Sequence, residues 1–226
     1  MNNSNLNDTK IMMLNSDQIN SISIIIPTIK INELCEEVVR LTLQNNPDSK
    51  IIIVSNYGSN KFDNNDNVTI IVSNKKNMSS KRNEGVKLSK TNYISFIDSD
   101  AYPKENWAKN AIQILKNNRD IYIVTGPELD FYNETFDEKI VGICNKSYLI
   151  TGKHSFRKVE SETRYFSEAS SCNMVMRKND YIEVQGMDET LYVGEDSLFS
   201  DKVINKFKKK ILFSKDVCVH HKNRDF

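Results

Sequence analysis
The chain has no excess of charge of either sign. Its 31 Lys and Arg face 30 Asp and Glu, leaving a formal net charge of +1 over 226 residues. Nucleic-acid binding calls for a basic face, which this balance does not supply. Long hydrophobic runs are also missing. The longest apolar stretches, such as Ile22 to Ile26 and Ile51 to Val54, have strand length. A membrane helix needs roughly 20 apolar residues. The N-terminus lacks a basic segment followed by an apolar one, so no signal peptide is expected. Cys35, Cys144, Cys172 and Cys218 are scattered, with no C-x-x-C pair, which argues against zinc and a redox motif. Cys172 and Cys218 lie in apolar, strand-like stretches and read as buried thiols in a reducing compartment. Glycine is absent where a dinucleotide-binding fold requires it. The first strand runs into Pro27-Thr28-Ile29-Lys30 rather than G-x-G-x-x-G.

What is present is a repeating order of apolar runs and amphipathic stretches. Strands are expected at Ser21 to Ile26, stopped by Pro27, and at Ile51 to Val54, Val68 to Val72, Tyr93 to Ile97 and Ile121 to Thr125. Helices are expected between them: one with Leu34, Val38, Leu41 and Leu43 on a face, one at Met78 to Ser89, and one at Lys104 to Asn117 that buries Trp107, Ala111, Ile114 and Leu115. Continuous Ile- and Val-rich strands alternating with helices mark an α/β fold, with a mostly parallel sheet covered on both faces. From Glu128 to Ser170 no period is evident, and loops are expected. Regular structure resumes with a strand at Cys172 to Met176 and a helix at Ser197 to Phe207. Short strands at Ile211 to Phe213 and Val217 to Val219 close the chain. The length suits one substantial core, or one domain plus an insertion.

Chemistry gathers around Asp98-Ser99-Asp100, at the carboxyl end of a strand, where open α/β sheets bind ligands. In extended chain, residues two apart point the same way, so both carboxylates can meet one cation. Oxygen ligands suit Mg2+ or Mn2+, which commonly also hold substrate phosphates. The competing reading is a cap for the helix that follows Pro103. Ser80-Lys81-Arg82-Asn83-Glu84-Gly85, at a helix start, offers a guanidinium and backbone N–H groups to a phosphate, or else is a solvated face. Gly194-Glu195-Asp196 supplies either a general base or a helix cap. His220 and His221 alternate along a strand, so at most one joins a site. Gln185-Gly186-Met187-Asp188-Glu189 reads as a turn.

Taken in order, these features resemble the family 2 inverting glycosyltransferases of the GT-A fold. The likeness spans Ser21 to Arg224. It rests on Pro27-Thr28 after the first strand, Arg82-Asn83-x-Gly85, Asp98-x-Asp100-Ala101-x-Pro103, Cys172-Asn173-Met174 with Arg177, Gly186-x-Asp188-Glu189, Gly194-Glu195-Asp196, and a His before Lys222 and Arg224. The resemblance implies a Rossmann-like central sheet with a small C-terminal mixed β region. It implies one domain over 21–226 after a loose lead-in at 1–20, with 21–127 holding the nucleotide-sugar and 128–226 the acceptor and the catalytic base. It implies transfer of a sugar from a nucleoside-diphosphate sugar, a UDP-sugar by default, in cell-surface polysaccharide or glycoconjugate synthesis.

The implied roles are specific. Pro27, Thr28, Asn56, Arg82 and Asp98 contact the donor nucleotide. Asp100, with Asp98 and His221, holds Mn2+ or Mg2+. Asp196 is the catalytic base, and Glu195 orients the acceptor or supports its loop. The acceptor is a glycan, a lipid-linked group or a small molecule. One departure stands out: Ser55-Asn56 occupies the place of the family's acidic base-reading residues. Asn56 keeps an amide oxygen for a base N–H, and Tyr57 offers a face for stacking. Two alternatives remain, a non-catalytic sugar-nucleotide or glycan-binding module on the same fold and a sugar-1-phosphate nucleotidyltransferase. The latter commonly needs a glycine-rich basic loop in place of Pro27 to Lys30. The expected location is the cytoplasm, with peripheral contact to the inner face of the membrane through Lys206 to Lys210 as the membrane-side alternative to a solvated helix end.

Overall fold
The computed structural model describes residues 21–224, so the lead-in expected at 1–20 lies outside the described residues. The main sheet has eight strands in the order β3-β2-β1-β4-β9-β6-β10-β8. Its first half is parallel: β1 (Ile22–Pro27), β2 (Lys50–Ser55), β3 (Val68–Val72) and β4 (Tyr93–Phe96). β9 (Met174–Arg177) runs antiparallel between β4 and β6 (Ile121–Thr125). β10 (Lys210–Phe213) lies parallel to β6, and β8 (Arg164–Phe166) is an antiparallel edge. A second sheet joins β5 (Ala101–Pro103), β11 (Val219–His221) and β7 (Glu128–Asp130) in the order β5-β11-β7. The small mixed sheet is therefore built from the middle of the chain as well as its C-terminal end.

Every residue of β1 is buried, as expected of a central strand covered on both faces. Alternation divides these residues between two clusters. Ile22, Ile24 and Ile26 meet α1 (Glu33–Asn45) and α3 (Trp107–Asn117) on one side, and Ile25 meets α2 (Met78–Leu88) on the other. Complete burial of such a side chain stabilises by about 1.5–3 kcal/mol. A Cβ at Gly85 would come within 2.6 Å of Ile25 Cγ2, so a glycine is what lets α2 sit close on β1.

Several expectations are corrected in detail. Pro27 continues β1 rather than stopping it and pairs with Val54, and the next N–H, that of Thr28, still donates to Val54 O. The buried face of α1 is Cys35, Val38, Val39 and Thr42, with Leu34, Leu41 and Leu43 only partly covered. α3 starts at Trp107 because Asn106 adopts a left-handed φ of 61°, and it buries Ile112 more deeply than Ile114. The region expected as loops, Glu128 to Ser170, holds β7, α4 (Phe136–Lys146), α5 (Tyr148–Thr151), a 3-10 helix (Gly152–Lys158) and β8. Cys172 and Cys218 are buried but precede β9 and β11 rather than lying within them. The helix expected at Ser197 to Phe207 is α7 (Glu195–Asp201) followed by a π-helical turn, Lys202–Lys206. A short α6 (Lys178–Glu183) follows β9.

Candidate active site
Four elements converge at the carboxyl end of β4: the chain after β4, the first turn of α2, the start of α7 and β11. After Phe96 the chain turns rather than extending. Asp98 O accepts from Ala101 N at 3.1 Å, so a turn, not strand alternation, orients Asp98 and Asp100. β5 then pairs antiparallel with β11, setting His221 opposite Ala101. In that register Asp100 Oδ1 lies 3.3 Å from His221 Nε2. His220 turns away, as alternation expects. Its Nδ1 is 2.7 Å from Asp130 O, and its ring stacks on Tyr102 at 5.0 Å.

A third donor reaches the same point. Ligand atoms of Asp98, Cys172 and His221 all lie within 4.8 Å of one another. Asp98 and His221, two of the three residues expected to hold a cation, thus meet a thiol that the sequence had assigned only to packing, and Asp100 adjoins this group through His221. This mixture of carboxylates, imidazole and sulfur fits a divalent transition ion. Burial alone would lower the His221 pKa, but the Cys172 sulfur and the hydrogen-bonded Asp100 raise it well above the usual imidazole range. Burial pushes the Asp100 carboxyl up, and its hydrogen bond to His221 brings it below the usual value.

Arg82 is the hub on the opposite side. Its guanidinium is almost fully buried and donates to Asp98 Oδ1 and Glu195 Oε1, each at 2.9 Å. One cation therefore joins the carboxylate after β4 to the acidic pair at the head of α7. Asp196 accepts from Ser197 N at 2.9 Å and from Ser171 N at 3.3 Å. Burial raises its pKa, and neighbouring Glu195 raises it further against those hydrogen bonds. Ser171 is next to Cys172, so one stretch of chain touches both Asp196 and the cation cluster. Gly194, with φ of 81°, supplies the left-handed residue that starts α7.

The head of α2 differs from expectation. Its first N–H groups are not open to a phosphate: Asn77 Oδ1 caps Ser79 N and Ser80 N. Side chains at the head of α2 instead hold the Gln185 to Glu189 turn. Ser80 donates to Glu189 Oε2 and Asn83 to Met187 O and Glu189 Oε1, each at 2.9 Å. Lys81 was not singled out by sequence, and no periodicity marks it. It is fully buried, and Nζ donates to Thr28 O at 2.5 Å and Asn56 Oδ1 at 2.8 Å. Pro27 and Thr28 are accordingly fixed at the end of β1, and Thr28 N is bonded to Val54 O. The Asn56 amide is engaged within the protein: its oxygen takes Lys81, and its nitrogen donates to Ser73 O and Lys75 O. The oxygen expected to read a base is thus already used by a cation, while Tyr57 remains exposed.

A second buried ionic group borders the cluster. Glu128, on β7, is held by Arg157 and Lys158 of the 3-10 helix, with Lys158 Nζ at 2.8 Å. Burial would raise its pKa, but the two cations override this and hold it far below the usual carboxylate range. Sequence reading missed this trio because it lies in the stretch without period.

The Glycosyl transferase family 2 profile matches residues 23–184, and the chain belongs to that family. It is 27% identical over 194 residues to the minor teichoic acid biosynthesis protein GgaB of Bacillus subtilis (strain 168). That match takes in 84% of this chain and 20% of GgaB, so the chain spans about a fifth of this curated relative's length. Its fold matches the crystal structure of GalNAc-T7 with UDP, GalNAc and Mn2+ at a TM-score of 0.69 and 14% identity, over 91% of this chain and 44% of the other. It also matches S. aureus TarS 1-349 at a TM-score of 0.64 and 14% identity, over 89% and 60% of the two chains. These matches carry the GT-A fold. Among the described residues, no helix is long and apolar enough to cross a membrane.

Proposed function
We propose that the chain is a metal-dependent inverting glycosyltransferase. It moves a sugar from a nucleoside-diphosphate sugar, a UDP-sugar by default, to an acceptor hydroxyl during synthesis of a cell-surface polysaccharide or glycoconjugate. The observation that carries this reading is Arg82. By bonding Asp98 and Glu195 at 2.9 Å each, it ties a carboxylate of the proposed cation side to the acidic pair of α7, which supports a donor and an acceptor held close together for one transfer. The name of GgaB supports a cell-wall polymer, and the UDP and Mn2+ in the GalNAc-T7 structure support the donor class and the cation.

Asp98, Asp100 and His221 would hold Mn2+ or Mg2+ against the donor diphosphate. When bound, a divalent cation supplies Lewis-acid stabilisation of charge on the leaving group. Asp196 accepts the proton of the acceptor hydroxyl as its oxygen bonds the anomeric carbon. The bond from that carbon to the diphosphate breaks on the opposite face, and the nucleoside diphosphate leaves with its electron pair. A carboxylate whose pKa is raised by burial is a better base for this step than an ordinary aspartate. Glu195, tied to Arg82, holds the head of α7 and with it Asp196. Pro27 and Thr28 line the donor side at the end of β1, with Tyr57 available to stack on the base and Asn56 acting through Lys81 rather than by direct reading. The halves 21–127 and 128–226 divide donor binding from acceptor binding and catalysis.

Thermal unfolding tests this reading. UDP with Mn2+ at about a hundred times its Kd should add about 2.7 kcal/mol by mass action. Asp100→Ala should abolish that gain, whereas Asp196→Asn should keep it and lose turnover. A gain unchanged in Asp100→Ala would remove the cation assignment. Binding without any release of nucleoside diphosphate from a donor sugar would favour the non-catalytic module.

A further inference from the structure
The residue between Ser171, which bonds Asp196, and Asn173, which is locked in the core, is Cys172. Its side chain is 1% exposed, and its sulfur lies with the Asp98 carboxylate and the His221 imidazole inside a 4.8 Å cluster. Its position is not left to a loose loop. Asn173 accepts from Trp107 Nε1 at 2.9 Å and donates to Val217 O at 2.8 Å. Asn173 N also bonds Ser170 O at 3.0 Å, and Ser170 Oγ lies 3.2 Å from Cys172 Sγ. These bonds close a tight turn that presents the thiol to Asp98 and His221.

We propose that Cys172 supplies a further donor to the cation site, beside Asp98 and His221 and the adjoining Asp100, so that the site takes Co2+, Zn2+ or Cd2+, and Mn2+ after them, in preference to Mg2+. The inference rests on the cation assignment made above and narrows it. Mg2+ favours six oxygen ligands in near-octahedral array and dehydrates reluctantly. Sulfur and imidazole donors favour softer first-row and later ions. A buried thiol packed for volume alone needs no polar neighbour, whereas this one faces both a carboxylate and an imidazole. On ligation a sulfur–metal bond forms, and the thiol proton passes to solvent.

The test uses Co2+ added to the full chain in the presence of UDP. The wild type should bind one equivalent by calorimetry and develop a sulfur-to-cobalt charge-transfer band in the near ultraviolet. Cys172→Ser should still bind Co2+ without the band, and Cys218→Ser should retain it. Cd2+ affinity should fall at least about tenfold in Cys172→Ser, and Mg2+ affinity by less than about twofold. Cys172→Ala serves if the serine variant does not fold, and the wild-type spectrum decides the presence of a thiolate ligand without any variant. Co2+ binding with no band, or a band that survives loss of Cys172, overturns the thiol alone. Failure of the wild type to bind Co2+, or binding unchanged in Asp100→Ala, overturns the cation assignment and this inference together.

Discussion
Replacing Arg82 by methionine keeps a long stem over Phe96, whose ring centroid lies 6.0 Å from the guanidinium carbon, and removes the charge together with its hydrogen bonds to Asp98 and Glu195. The two partners feel this unequally. The Glu195 side chain is 14% exposed, whereas Asp98 is 33% exposed and is more readily rehydrated. Removing one partner of a buried pair costs about 3–5 kcal/mol, mostly because the remaining charge is stranded. The partial exposure of Asp98 puts the expected loss near the lower end, about 3 kcal/mol. In a chain of this size that lowers Tm by roughly 6–12 °C, which calorimetry at neutral pH and without nucleotide measures directly. Adding Glu195→Gln should recover about 1–2 kcal/mol, because the stranded carboxylate is then neutral. A loss below about 1 kcal/mol, or a double variant no more stable than Arg82→Met, would refute the idea that Arg82 holds the two halves of the site through buried charge.

Two further predictions follow from the same kind of reasoning. Glu128 is held below its ordinary value of 4.5 by Arg157 and Lys158, so its contribution is present above that pH and is lost as pH falls. Glu128→Gln should cost about 3 kcal/mol at pH 7, the gap to wild type should close progressively below pH 4.5 in urea titrations, and a pH-independent gap would contradict the ion-pair account. Gly186 has φ of 69°, and a Cβ there would lie 2.8 Å from Asn83 Oδ1. Gly186→Ala should therefore destabilise by about 1–3 kcal/mol, and denaturant unfolding that shows no loss would mean that the turn does not depend on its contact with α2.

The strands β1, β2, β4 and β6 were legible because each is covered on both faces and so reads as a short run of mostly apolar residues, rich in Ile in β1 and β2 and carrying aromatics in β4 and β6. α4 was not legible, for the opposite reason. It buries Glu138 and Gly142 and exposes Phe136 and Ile143, so its pattern runs against the rule that apolar residues lie inside. Its start was nonetheless written in the chain: Thr135-x-x-Glu138 forms a capping box, with Thr135 N donating to Glu138 Oε2 at 2.8 Å. The order of the carboxylates and His221 along the chain singled them out as candidates, and Asp98 and Asp100 each lie close to His221 in the fold. The turn that brings Asp98 to Asp100 was not legible, since spacing alone suggested extended backbone. Lys81 was equally hidden, because a lysine with no apolar neighbours in sequence gives no sign that two backbone-anchored oxygens await it. Cys172 read as a packing residue because its partners, Asp98 in the turn after β4 and His221 on β11, are far away in sequence.

The pairing of β11 with β5 has a consequence for the energetics of loading the site. His221 sits opposite Ala101, and Lys222 N bonds Asp100 O at 3.0 Å. Main-chain hydrogen bonds therefore fix the spacing between imidazole and carboxylate. If donor and cation load here as proposed, little conformational entropy is left to lose, and more of their interaction energy is expressed as affinity. A loop-borne histidine would have to be ordered at each turnover; here the ordering is done once, when the chain folds.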